Sequence, residues 1–113
     1  MRVIDIENIK LTSVNRKYTI ARGKRQLILS PEYRTFKTAI SRSARRVTEF
    51  TTPVRMRIFH SSRLDVDNPV KAIMDGLQDA GILANDRLVK SLIVDVDHKN
   101  EGRLTVDIEE MEE

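Results

Sequence analysis

Cysteine and tryptophan are both absent from the 113 residues. Without thiols there is no disulfide staple, no thiolate zinc site and no cysteine nucleophile. Aromatic residues make up only 4% of the chain, too few for the stacking platform on which single-stranded nucleic acid is held. The four glycines, Gly23, Gly76, Gly81 and Gly102, stand isolated, so no glycine-rich loop cradles a phosphate. His60 and His98 are the only histidines and lie far apart, which counts against a histidine zinc site, and no Ser/His/Asp arrangement competes. Each is read as a surface residue of a strand. No apolar run approaches the ~20 residues of a membrane span. Met1-Arg2 leads straight into Val-Ile-Asp-Ile-Glu, with no apolar signal region. A cytoplasmic protein without membrane contact is expected.

What the chain has in quantity is charge, at 33% of residues, beside a 40% apolar fraction. That balance suits one globular domain over residues 1–113. The net charge is +3, but it is unevenly spread. Residues 1–57 carry +10 and residues 58–113 carry −7. Across residues 16–46, ten Lys/Arg face a single acid. A solvated surface usually mixes signs to gain i,i+4 pairs. A one-signed stretch instead matches a surface that tracks phosphates, because affinity grows with the number of phosphates neutralised. Asn15, Arg16, Lys17, Lys24, Arg25, Arg42, Arg45 and Arg46 are the candidate contacts to the backbone of duplex DNA.

The apolar periodicity predicts a β-β-α-β-α-β-β order. Strands are expected over residues 2–11, 25–30, 54–60, 89–97 and 103–108, the last two as a hairpin through Asn100-Glu-Gly102. A polar loop fills residues 12–24. One helix should run from Pro31 to about Val47, with Ser30 as its cap and Tyr33, Phe36, Ile40, Ala44 and Val47 facing inward. A second should run from Asn68 to Ala80, capped by Asp67 or Asn68 and closed by Gly81. The fold class is therefore α+β: a single two-layer domain with two helices on one face of a mixed sheet.

The chemically distinctive stretch is Arg63-Leu-Asp-Val-Asp-Asn-Pro-Val-Lys-Ala-Ile-Met-Asp75, with Asp86 eleven residues on. If Asp65 and Asp67 lie on extended backbone, their carboxylates share a face, about 6–7 Å apart, within reach of one hard divalent cation. Asn68, Lys71 and Asp75 fall on one side of the following helix, opposite the apolar set Val70, Ile73, Met74 and Leu77. An EF-hand loop is excluded, since Val70 and Gly76 stand where glycine and glutamate are required. Capping and turn formation explain Asp65, Asp67 and Asn68 equally well in isolation. They leave Lys71, Asp75 and Asp86 unexplained. An oxygen-only site for Mg²⁺ or Mn²⁺, beside a lysine and a basic surface, has the logic of a nuclease.

The string Asp65-x-Asp67-Asn68-x-x-Lys71-x-x-x-Asp75-x-Leu77, with Gly81 and Asp86, resembles the RusA family of Holliday-junction resolvases. Ser13-x-Asn15-Arg16-x-Tyr18 and Gly23-Lys24-Arg25 are similar to the family's basic amino-terminal segment. The resemblance implies a homodimeric, Mg²⁺-dependent endodeoxyribonuclease that nicks four-way, branched double-stranded DNA symmetrically. Asp65, Asp67 and Asp86 would be its metal-binding catalytic carboxylates, with Lys71 the catalytic lysine; the part of Asp75 stays open. Asn85-Asp86 replaces a frequent pair of aspartates, and Leu11-Thr12-Ser13 replaces the usual Pro-Pro-Ser. A nuclease for other branched DNA, or a non-catalytic basic DNA-binding module, remains an alternative reading.

Overall fold

The computed structural model describes residues 1–9, 11, 18–20, 27–29, 31–45 and 47–111, with residues 18–20 and 27–29 in backbone only. The elements run β1 (Arg2–Ile6), β2 (Tyr18–Ile20), β3 (Leu27–Leu29), α1 (Pro31–Ser43), β4 (Val54–Ser61), α2 (Val70–Asp79), a 3₁₀ turn (Asp86–Leu88), β5 (Val89–Asp97) and β6 (Leu104–Glu110). One mixed four-stranded sheet has the order β1-β6-β4-β5. The α+β architecture with two helices is as expected.

Alternation on β4 decides the layering. Val54, Met56, Ile58 and His60 are buried, while Arg55 and Arg57 between them are exposed. The register aligns Met56, Ile58 and His60 with Ile108, Val106 and Leu104 on β6, all at most 1% exposed. Tyr33, Phe36 and Ile40 from α1 and Ala72, Ile73 and Leu77 from α2 complete that core. The helices press closely together at Gly76. A Cβ there would lie 2.6 Å from Ile40 Cγ2 and 2.7 Å from Ile40 Cβ.

Three expectations need correction. β5 and β6 are not a hairpin: β5 runs parallel to β4 on one side, and β6 runs antiparallel to β4 on the other. The strand with the deepest apolar residues takes the centre, and β5, with Leu92 41% and Ile93 45% exposed, takes the edge. Leu92 aligns with Met56 on the helix-covered face yet stays exposed at this edge. Second, α1 ends at Ser43 rather than near Val47, and the Arg45 amide then bonds the Val3 carbonyl of β1 at 2.8 Å. Third, the segment expected as a polar loop contains β2, which pairs antiparallel with β3 as a separate two-stranded unit. The strand anticipated around residues 25–30 therefore does not join the main sheet.

Between the parallel strands β4 and β5, α2 is the crossover element. It starts at Val70, two residues later than expected, with Pro69 at its cap position and no side-chain capping bond. Its end is the expected one. Gly81 has φ +72°, its amide bonds the Gln78 carbonyl, and the Ile82 amide bonds the Leu77 carbonyl. That double closure is the Schellman motif, with apolar Ile82 and Leu77 at its matching positions. No described helix is long and apolar enough to cross a membrane.

Candidate active site

The Asp65 to Pro69 segment is a succession of tight turns rather than extended chain. The Asn68 amide bonds the Asp65 carbonyl and the Val70 amide bonds the Asp67 carbonyl, each at 3.1 Å. β4 has already ended at Ser61, so the two-residue alternation of a strand does not set the direction of Asp65 and Asp67. Neither Asp67 nor Asn68 caps α2. Both aspartates are exposed, and among the described residues neither side chain has a hydrogen-bond or ion-pair partner. The structural work that would have explained them as caps is not being done by their side chains.

Lys71, Asp75 and Asp86 form the opposite kind of group. Lys71 Nζ lies 3.1 Å from Asp86 Oδ2 and 3.4 Å from Asp75 Oδ1. The Tyr33 hydroxyl of α1, itself fully buried, donates to Asp75 Oδ2. Asp75 is thus a strut: its carboxylate ties α1 to α2 through Tyr33 and holds Lys71 from the other side. Asp86 reaches Lys71 because Asn85 turns the chain there, its Oδ1 accepting from the Arg87 amide at 2.8 Å. The Asp86 hydrogen bond raises the Lys71 pKa above its usual value, with Asp75 adding to it against some desolvation. The ammonium therefore stays charged at neutral pH. It can offer charge or a proton, and it is not a base.

The structure brings Lys71 and Asp86 together. It does not gather Asp65, Asp67 and Asp86 into a closed cage: among the described residues no three His, Cys, Asp or Glu side chains stand close enough to hold a metal ion. The donor chemistry still fits a hard divalent cation, because every donor is a carboxylate oxygen. Two of the carboxylates also carry charge that no described cation offsets.

His60 was misplaced by the sequence reading. It is 0% exposed and lies on the core face of β4, not on the surface. Its Nδ1 is 2.8 Å from Ser62 Oγ and its Nε2 is 2.8 Å from the Val66 carbonyl oxygen. Burial lowers its pKa below the usual 6.5, His98 lowers it further, and the Val66 carbonyl partly offsets both. His98 is exposed, with Nδ1 2.8 Å from the Ser62 carbonyl oxygen. The usable sequence signal was parity: His60 continues the inward series Val54, Met56, Ile58.

Of the candidate DNA contacts, Arg42 and Arg45 are exposed at and just beyond the end of α1. Asn15, Arg16, Lys17, Lys24, Arg25 and Arg46 lie outside the described residues. Arg34 and Arg42 flank Thr35 and Thr38 in a shallow groove of about 500 Å³ along the outer side of α1. Lys37, on another side of the helix, is not part of that surface: it pairs with Asp79 of α2 at 2.8 Å.

No curated protein matches the chain. Residues 55–109, which hold β4, the Asp65–Asp67 turns, α2, Asp86 and most of β5 and β6, match the family model of the endodeoxyribonuclease RusA. Over that segment the chain is similar to the RusA endodeoxyribonuclease family.

Proposed function

We propose that the protein is a metal-dependent, structure-specific endodeoxyribonuclease that resolves Holliday junctions by paired symmetric nicks, its domain spanning residues 1–113. The observation that carries this reading is the pair Asp65 and Asp67. They are exposed, free of any capping duty, and without a described counter-charge, inside the segment that matches the nuclease family.

Asp65, Asp67 and Asp86 would hold Mg²⁺ or Mn²⁺. A bound ion of this kind supplies hydroxide near neutral pH and stabilises charge on a phosphoryl oxygen. Hydrolysis adds one water oxygen to phosphorus and breaks one phosphorus–oxygen ester bond, with the water's proton ending on the leaving oxygen. Lys71 would stabilise the charge that develops in this step. Its pKa is raised by the Asp86 hydrogen bond, so the ammonium is charged at neutral pH, and being about half exposed it can approach the phosphoryl or leaving oxygen while Asp75 retains its hold. Arg42 and Arg45, with Asn15, Arg16, Lys17, Lys24, Arg25 and Arg46, would neutralise the phosphates of the junction arms.

Symmetric nicking calls for two active sites and hence a homodimer. The exposed Leu92 and Ile93 on the edge strand β5 support that strand as the contact between copies.

The test compares a synthetic four-way junction with linear duplex and flap DNA, with Mg²⁺ or with EDTA. The expected result is symmetric nicking of the junction that needs the metal. Equal cutting of flaps would favour a broader branched-DNA nuclease. Junction binding with no cutting under Mg²⁺ or Mn²⁺ would leave only a DNA-binding module and overturn the enzymatic reading.

A further inference from the structure

We infer that His60 is a positioning residue for the Asp65–Asp67 carboxylate pair, clamping the peptide between Val66 and Asp67 to the end of β4. The inference rests on the reading of those aspartates as the working carboxylates of the site.

The direction of every hydrogen bond in this cluster follows from chemistry. A carbonyl oxygen only accepts, so His60 Nε2 carries a proton and donates to Val66 at 2.8 Å. Burial favours the neutral ring, which leaves Nδ1 bare to accept from the Ser62 hydroxyl at 2.8 Å. Ser62 Oγ in turn accepts the Leu64 amide at 3.2 Å. The chain of bonds therefore runs one way, from Leu64 through Ser62 and the imidazole to Val66. Ser62 is fixed from below, its amide donating to the Asp97 carbonyl of β5 at 3.1 Å and its carbonyl accepting from His98.

The Val66 carbonyl belongs to the same peptide plane as the Asp67 amide. Holding that oxygen sets the orientation of the plane, and with it the direction in which the Asp67 side chain leaves the backbone. Packing cannot do this, because Val66 is 41% exposed and Asp65 and Asp67 are exposed on either side of it. Pro69, which is buried, anchors only the far end of the segment.

Position 60 also has no need of an imidazole for the core. Its neighbours on the same face of β4 are Met56 and Ile58, and its aligned partners are Leu104 and Val96. A buried imidazole must be desolvated and supplied with partners at both nitrogens, where an aliphatic side chain would simply pack. What it adds is direction. The arrangement has the form of an outer group that orients a ligand-bearing backbone, a role whose loss typically costs 10- to 100-fold in metal affinity or activity.

Two substitutions separate this from a packing role. Glutamine can place its amide nitrogen near the position of Nε2 and keep the bond to Val66. Asparagine can place its oxygen near Nδ1, keeping Ser62 and losing Val66. Each variant is measured in the full chain for Mn²⁺ affinity by electron paramagnetic resonance, for kcat and KM on a four-way junction, and for thermal melting. With His60→Asn, Mn²⁺ affinity and kcat are expected to fall about 10- to 100-fold with KM for the junction unchanged. His60→Gln should restore most of both, although its melting temperature falls as far. In the wild type, ¹⁵N spectra should show His60 as the neutral tautomer with its proton on Nε2. Equal loss in the two variants, or wild-type Mn²⁺ affinity in His60→Asn, would overturn the inference. A wild type that binds Mn²⁺ but nicks no DNA would instead overturn the proposed activity, and the Mn²⁺ comparison would still decide the role of His60.

Discussion

The two halves of the candidate site are built on opposite principles. Asp65 and Asp67 sit on a turn that exposes them, with no described partner. Lys71, Asp75 and Asp86 satisfy one another, and Tyr33 binds the middle member from inside the core. An exposed carboxylate costs nothing in desolvation and gains nothing in stability, so it is free to serve an external cation. A half-buried carboxylate must be partnered, and the partners that satisfy it also tie two helices together. On the proposed reading, Asp65 and Asp67 would serve chemistry alone, Asp75 serves construction, and Asp86, paired with Lys71, would take part in both. Substitutions should divide accordingly, with activity lost without stability at Asp65 and Asp67, and stability lost at Tyr33, Asp75 and Gly76.

The largest test of that division is Asp67→Asn. Nicking should fall by more than about 100-fold, beyond the range typical of outer-shell changes, with junction binding retained and stability within about 0.5 kcal/mol of wild type. Steady-state nicking, a gel-shift assay and urea melts read the three quantities. A large loss of stability would erase the contrast between the halves.

Gly76→Ala should come next, on the stability side. A methyl group has nowhere to go with Ile40 at 2.6 Å, and overpacking of this kind costs about 1–3 kcal/mol. Lys71 and Asp75 ride on the same helix, so activity should fall only as far as the folded fraction does. If activity is lost at temperatures where circular dichroism reports a folded chain, the helix pair aims the site as well as supporting it.

Tyr33→Phe removes the buried donor to Asp75 and leaves the ring in place. The expected destabilisation is about 1–2 kcal/mol, read by urea melts. A neutral result would mean that Asp75 is satisfied without Tyr33, and would move Asp75 towards the exposed, chemical half.

The smallest effect is the pH dependence contributed by His60. Its folded pKa lies below the ordinary 6.5, so between those two values the unfolded chain holds the extra proton. This contribution is complete above about pH 6.5. It is lost as pH falls from there towards the folded pKa, with a slope of at most about 1.4 kcal/mol per pH unit. Urea melts between pH 7.5 and 5 should show the slope, and His60→Gln should flatten it. An unchanged slope in the variant would assign the pH dependence to other groups.

Much of this was legible beforehand. The boundaries of β4 and β5 followed from alternation, and Gly81 as the helix-ending residue followed from its place after the last apolar turn. Lys71 was expected beside the carboxylates through the family resemblance, but its contact with Asp86 was not read from the sequence. The errors have a common physical origin. A periodic signal tells which face of an element is apolar but not which element lies beside it. Hence β6 was assigned to β5 when its hydrogen bonds go to β1 and β4. Likewise His60 was judged by its polarity, although its parity with Met56 and Ile58 had already placed it inside.

By itself, the sequence determined the chemical inventory and part of the local geometry: the spans of β4 and β5, the end of α2, carboxylate oxygens as the candidate donors, and a basic half against an acidic one. These depend on residue type and near spacing, which are one-dimensional properties. Only the tertiary structure decided which carboxylates are partnered and which are not. That outcome depends on residues 42 positions apart, as with Tyr33 and Asp75, and on a buried imidazole that reaches six residues along the chain to hold the turn that carries Asp65 and Asp67. Desolvation and hydrogen-bond satisfaction are properties of surroundings, and the surroundings exist only once the chain has folded.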